Sequence, residues 1–309
     1  MTSIRLAVPD LVSNSYFPAI AAVELGCFRE EGLEAGIELI FPNFKAYEAL
    51  RDGRVQLVAA PAHVAFRAFP EGRGLKLLAA LAQGTFWLLV MRAELRVAAG
   101  DVSAVKGRRI GAAPMVDMAF KHLLTGVGID PEREVSIVGV PGTMEPGVSF
   151  GVAAARALAS GQIDGFWANA MGAENAVRSG VGTVVLDVRR GLGPAAAVHD
   201  TFSALSTSAD CLARDPELLA KAVRAVAAAQ RRLKADPGLA AAVGRTLFPP
   251  AEAAVIADII ARDRTFYDPV ISEAAIEGLG RFAQAMGLIT APLRYDQVVA
   301  TGARPFWQA

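Results

Sequence analysis

The chain has 309 residues, 53% of them hydrophobic and 20% charged, which is enough apolar mass for a large core and argues against disorder. Lysine plus arginine number 31 and aspartate plus glutamate also number 31, so no net field attracts a polyanion and nucleic acid is not expected as a partner. The two cysteines, Cys27 and Cys211, lie far apart with no Cys-x-x-Cys and no histidine spaced to complete a metal site, so two buried thiols are expected and neither a disulfide nor a metal is.

Ile4, Leu6 and Val8 alternate as a first strand. The polar stretch Ser13, Asn14, Ser15 and Tyr16 follows, then Pro18 in a helix-opening position and an amphipathic run to Gly32. A strand, a polar turn and a helix start make a place to hold a small molecule, because the first-turn N–H groups and the helix dipole converge there. A strand over Ile37 to Phe41 leads to the loop Pro42, Asn43, Phe44, and a short helix is expected from Ala46 to Asp52. Val55 to Ala60 reads as a strand ending at Pro61, Ala62 and His63. In an open α/β sheet the ligand crevice lies at the carboxyl ends of the strands, so these loops should share one edge.

Leu75 to Ala82 and Thr85 to Arg92 are strand candidates separated by Gln83 and Gly84, and Phe86 to Met91 is apolar throughout, as in a strand buried on both faces. No apolar run reaches the ~18 residues of a membrane span. The pattern restarts at Val105 to Ala113, with a turn over Pro114 to Asp117 and a helix through Leu124, which suggests a second lobe. Strands are expected at Val135 to Val140, Gln162 to Trp167 and Val181 to Val188, with a helix from Phe150 to Ser160. After Phe202 to Ala209, a strand, helices are expected at Pro216 to Lys234, Ala251 to Arg264 and Ile271 to Met286.

Three segments carry a family resemblance. Phe17 to Leu33, Val105 to Gly111 and Ala157 to Asp164 resemble, in order and spacing, the substrate-binding proteins for nitrate, taurine and sulfonate uptake and the related thiamine-pyrimidine (NMT1/THI5-like) group. The resemblance implies an α/β type 2 periplasmic-binding-protein fold, with two lobes joined by two crossover strands and closing on a ligand in the cleft between them. The lobes would be residues 1–92 with 203–309, and 93–202. It also implies a monomer serving an ABC permease, without a cofactor. The chain departs from that pattern at Ala112 to Asp117, which is apolar then acidic where oxyanion transporters tend to offer hydroxyls. The strand end Trp167-Ala168-Asn169 lacks the proline expected after the tryptophan, and the cysteine-rich segment of the pyrimidine-synthesising enzymes is missing.

Tyr16, Phe44, Phe86, Trp87, Trp167 and Phe202 fall at strand ends or crossovers. Each alone is more often core than ligand contact, but their clustering points to a pocket that stacks on a flat organic ligand, with Tyr16 and Trp167 foremost. Asn14, Ser15, Asn43, Gln83 and Asn169 supply uncharged donors and acceptors, or equally turn and cap chemistry. Ser13, Ala62, His63, Met115 and Asp117 complete the expected ligand-binding set. Gly147-Val148-Ser149-Phe150-Gly151 fits the nucleophile-elbow pattern but lacks the strand before it, so Ser149 is read as a helix cap. His63, Asp117 and Glu145 are the titratable candidates for an enzyme and form no recognisable constellation.

Two readings result: a solute-binding protein for a small aromatic or heterocyclic molecule, and a cytoplasmic enzyme or ligand sensor on the same fold. No catalytic residue is assigned. The first reading places the chain in the periplasm if a leader preceded it, and the second in the cytoplasm if the sequence starts where it is shown to start.

Overall fold

The structure, a computed structural model, describes residues 2–143 and 147–308. Glu145, which figures in the expectations above, lies outside them. The chain divides into two units, Met1–Gly84 with Thr201–Ala309, and Thr85–Asp200.

Along the chain, β1 (Thr2–Val8) leads through the polar loop to α1 (Phe17–Glu24), then α2 (Cys27–Glu30), β2 (Leu33–Leu39), α3 (Asn43–Arg51), β3 (Leu57–Pro61) and β4 (Leu75–Ala82). The second unit holds β5 (Leu88–Arg92), β6 (Arg109–Ala112), α4 (Asp117–Gly126), β7 (Ser136–Val138), α5 (Phe150–Ala159), β8 (Gly165–Ala168), α6 (Ala170–Arg178) and β9 (Gly182–Leu186). The first unit resumes with β10 (Ser203–Ser208), α7 (Ala209–Arg214), α8 (Glu217–Ala235), α9 (Leu239–Leu247), α10 (Pro250–Asp263), α11 (Glu273–Ala285) and α12 (Tyr295–Val298).

The first unit's sheet runs β2-β1-β3-β10-β4, with β2, β1 and β3 parallel and β10 antiparallel to β3 and β4. The second unit's sheet runs β7-β6-β8-β5-β9, with β5 antiparallel to β8 and β9. Each sheet therefore gathers the carboxyl ends of four strands and the start of one reversed strand along one edge. The interior strands are buried on both faces, which is why β3, β4 and β5 read as continuous apolar runs. The open edge of β4 is closed by the chain's end. Ala300 N–H donates to Leu77 O, and the indole Nε1–H of Trp307 donates to Leu78 O at 2.9 Å.

Several boundaries differ from the expectation. The first helix is broken at Gly26, whose φ of +77° reverses the backbone, so Cys27 begins a separate turn. Both cysteines are nonetheless buried free thiols, and burial pushes the Cys27 thiol upward. α3 begins at Asn43, three residues earlier than predicted, so Asn43 and Phe44 belong to a helix start and not to a loop. The strand predicted from Thr85 begins at Leu88. Helices α6, α7 and α9 were not anticipated. Their sequences are short and alanine- or glycine-rich, and packing supplies what propensity does not. Among the described residues no helix is long and apolar enough to cross a membrane, and no group of three or more metal-ligating side chains is present.

One charged cluster holds the second unit's sheet at the edge opposite the candidate loops. Asp164 accepts from Arg92 Nη2 at 2.6 Å, from the Arg109 backbone N–H at 2.9 Å and from the Arg109 guanidinium. Burial alone would raise its pKa, but the bonds from Arg109 and Arg92 outweigh that and bring it down from 3.8 to about 2. A depressed carboxylate stabilises the folded state above its unfolded pKa and loses that contribution as pH falls through its folded one. The expected loss is therefore about 2 kcal/mol between roughly pH 4 and pH 2. Urea unfolding of the wild type against Asp164→Asn should show a stability gap at pH 7 that closes towards pH 2.

Candidate functional site

All the first unit's candidates fall on the carboxyl edge of its sheet. Ser13 to Tyr16 follow β1, Asn43 and Phe44 open α3 after β2, Ala62 and His63 begin a 3-10 turn after β3, and Gln83 follows β4. Phe202 precedes the reversed strand β10, and its carbonyl accepts from Ala62 N–H at 2.9 Å. Ser13, Asn14, Ser15, Tyr16, Asn43, Ala62, His63 and Phe202 are all buried.

The polar loop is fastened from behind by residues that the sequence did not single out. Asn14 Nδ2 donates to the fully buried Asp263 carboxylate, Tyr267 OH donates to Asn14 O at 2.7 Å, and Ser203 Oγ donates to Ser15 O at 2.5 Å. Asn14 is thus a positioning residue whose partners lie some 250 positions away in the chain, at the end of α10 and just beyond. No local signal could have identified them. Burial, with the Asp10 carboxylate adding to it, pushes the Tyr16 phenol well above its usual range, so it is neutral.

His63 Nδ1 pairs with Thr201 Oγ1 at 3.0 Å and its ring stands edge-on to Phe282 at 5.2 Å. The Gln83 amide donates to Asp268 O and Val270 O, which ties β4 to the segment after α10. Three buried atoms on this edge are different: Ser13 Oγ, Ser15 Oγ and Asn43 Oδ1 have no hydrogen-bond partner. A buried polar atom left unpaired costs about 1–3 kcal/mol, so each of these calls for a partner such as a ligand or an ordered water.

The second unit's candidates fall on the corresponding edge of its own sheet. Trp87 precedes β5, Met115 and Asp117 follow β6, and Trp167 and Asn169 lie at the end of β8. Trp167 is fully buried and stacks on Phe120, with ring centroids 5.4 Å apart and an interplanar angle of 25°. Trp87 lies 6.4 Å from it and Phe86 4.5 Å from Trp87. The Trp167 indole Nε1 is buried with no partner. Met115 has a φ of +69°, a strained value for a non-glycine residue, in the turn that starts α4. Asp117 sits 3.6 Å from Lys121 Nζ, and Asn169 caps α6 by accepting from Gly172 N–H at 3.1 Å. His122, for which no partner was foreseen, pairs with Asp200 Oδ2 at 2.9 Å, and that bond raises its pKa.

Ser149 stands at the N-cap position of α5 and not in an elbow after a strand, although its side chain makes no capping hydrogen bond to the helix. Of the three titratable candidates, His63 and Asp117 lie in different units and Glu145 lies outside the described residues.

A family model described as NMT1/THI5-like matches residues 13–240. No curated protein matches the chain in a direct search. Among solved structures, the alkanesulfonate-binding protein SsuA from Xanthomonas axonopodis pv. citri, bound to MOPS, is 13% identical with a TM-score of 0.72, covering 97% of this chain and 98% of its own. The periplasmic nitrate-binding protein NrtA from Synechocystis PCC 6803 is 14% identical with a TM-score of 0.71, covering 100% and 89%. The desulfurization enzyme DSZB in complex with biphenyl-2-sulfinic acid is 15% identical with a TM-score of 0.68, covering 99% of each chain.

Proposed function

The chain belongs to the NMT1/THI5-like family, and from that premise we propose that it is a solute-binding protein that captures a small aromatic or heterocyclic organic molecule for ABC-type uptake. Its fold is that of the type 2 periplasmic binding proteins, represented by the sulfonate- and nitrate-binding structures it resembles. The observation that carries the reading is the placement of the buried, unpartnered groups. Ser13 Oγ, Ser15 Oγ and Asn43 Oδ1 lie on the carboxyl edge of one α/β sheet, and Trp167 Nε1, beside an aromatic cluster, lies on that of the other, and in open α/β sheets ligands bind at that edge. The aromatic preference rests on Tyr16, Phe44, Phe86, Trp87, Trp167 and Phe202, and a biphenyl sulfinate bound by a protein of the same fold supports it. Delivery to a permease, a periplasmic location and a monomeric state are parts of the same proposal.

Native mass spectrometry of protein purified without refolding should return a small organic molecule unchanged, and adding it back should raise Tm. Conversion of that molecule by the protein would replace this reading with the second one, an enzyme or sensor. The likeness to DSZB favours that second reading, because it puts catalysis on the same fold. Of the candidates named for that reading, His63 is bonded to Thr201 and Asp117 lies beside Lys121; the assembled His–carboxylate pair is His122 with Asp200, within the second unit.

A further inference from the structure

Within the solute-binding reading, on which this inference rests, we infer that the polar part of the ligand held by the first unit is an uncharged group bearing at least one N–H or O–H, and not a bare oxyanion. Asn43 Oδ1 is an acceptor only, is 4% exposed as a residue, and has no partner, so it requires a donor from the ligand. The Ser13 and Ser15 hydroxyls, 1% and 0% exposed as residues, can then receive or donate as the ligand's remaining atoms demand.

An anion finds little at this edge. Pro18 removes one N–H from the first turn of α1, and two more are spent locally, Tyr16 N–H on Ser13 O at 3.2 Å and Ala19 N–H on Tyr16 O at 3.0 Å. The buried Asp263 carboxylate is bonded to Asn14, between the two serines in sequence, and adds negative potential that Arg262 at 3.5 Å offsets from a half-exposed position. Of the cations on and near α3, Lys45 Nζ lies 3.6 Å from Glu48 and the Arg67 guanidinium stacks on the Phe44 ring at 3.9 Å. An oxyanion would set its charge against the Asn43 oxygen and the Asp263 field. A carboxamide, sulfonamide or amino-heterocycle supplies the donor that Asn43 Oδ1 lacks without that conflict.

Two measurements on ligand-free protein test this. The first is thermal unfolding of Ser13→Ala, Ser15→Ala and Asn43→Leu. Groups held unpaired for a ligand should leave Tm unchanged or raised by about 2–4 °C on removal. A fall of the same size or more would show that the groups hold the fold, and would overturn the inference. The second is calorimetric titration with matched probes, benzenesulfonamide against benzenesulfonate and benzamide against benzoate. The neutral member of each pair should bind at least about tenfold tighter, a preference that Asn43→Leu abolishes. Equal or tighter binding of the anions overturns the inference and leaves the solute-binding reading standing. Binding of no probe also overturns it. The solute-binding reading fails on a separate result, conversion of the molecule recovered by native mass spectrometry.

Discussion

Trp167→Ala should lower the unfolding free energy of the ligand-free protein by about 3–5 kcal/mol, the range for removing a large aromatic side chain from a packed interior. The side chain is fully buried in β8 and stacked on Phe120, and alanine leaves a cavity that Phe120 and Trp87 cannot fill without moving. Trp167→Phe separates the two roles that the position combines. It keeps a ring against Phe120 while deleting the Nε1–H that is buried without a partner, so its stability cost should stay within about 1–2 kcal/mol. If that N–H is reserved for the ligand, the phenylalanine variant should fold and bind weakly. Urea unfolding and calorimetry on the same samples decide this. A loss below about 1 kcal/mol for the alanine variant would show that the indole faces the ligand and does not support the sheet.

Gly172→Ala should also be strongly damaging, at about 3 kcal/mol, for a geometric reason. A Cβ at Gly172 would lie 2.5 Å from Gly151 O, 2.6 Å from its carbonyl carbon and 2.7 Å from its Cα. All three are backbone atoms, so the clash can be relieved only by separating α5 from α6. Gly151→Ala meets the Asn169 side-chain oxygen at 2.5 Å, and a side chain can turn away. Its cost should be nearer the roughly 1 kcal/mol of losing the cap that Asn169 provides to α6. Gly126→Ala, at the end of α4 with open space around the added carbon, serves as the control and should be neutral or slightly stabilising. Thermal unfolding of the three variants should rank them in that order. The glycine that completes the apparent Gly-x-Ser-x-Gly pattern is therefore explained by helix contact and not by a nucleophile.

Much of the architecture was legible because it is written in local periodicity. β4 matched its predicted limits, Leu75–Ala82, since a continuous apolar run bounded by Gly74 and Gln83 admits little else. α8 and α11 fell within two residues of expectation because long amphipathic stripes between proline and polar boundaries carry their own ends. The start of α3 was misplaced because Pro42 looks like loop chemistry, whereas here it is the residue that precedes the first turn and leaves Asn43 at the helix opening. α6 was passed over because its Ala-Met-Gly-Ala-Glu-Asn segment has modest intrinsic propensity. It is held as a helix by the Asn169 cap and by close contact with α5.

The candidate site divides in the same way. Strand order and alternation, read from the sequence, already put Ser13 to Tyr16, Asn43, His63, Met115 and Trp167 at strand ends, because a parallel α/β sheet sends its βα loops to one edge. Which of those side chains are spent and which are left open depended on residues far away in sequence. Asn14 is occupied by Asp263, His63 by Thr201 and Gln83 by the backbone of Asp268 and Val270, while Ser13, Ser15 and Asn43 keep unpaired oxygens on the same edge. Sequence alone determined the α/β character and the loops that carry the candidate residues, since both follow from short-range pattern, while the two-lobed binding-protein fold followed from the family resemblance. Tertiary structure alone decided the bonding state of each polar atom, since hydrogen bonds between residues 138 to 249 positions apart leave no trace in local sequence.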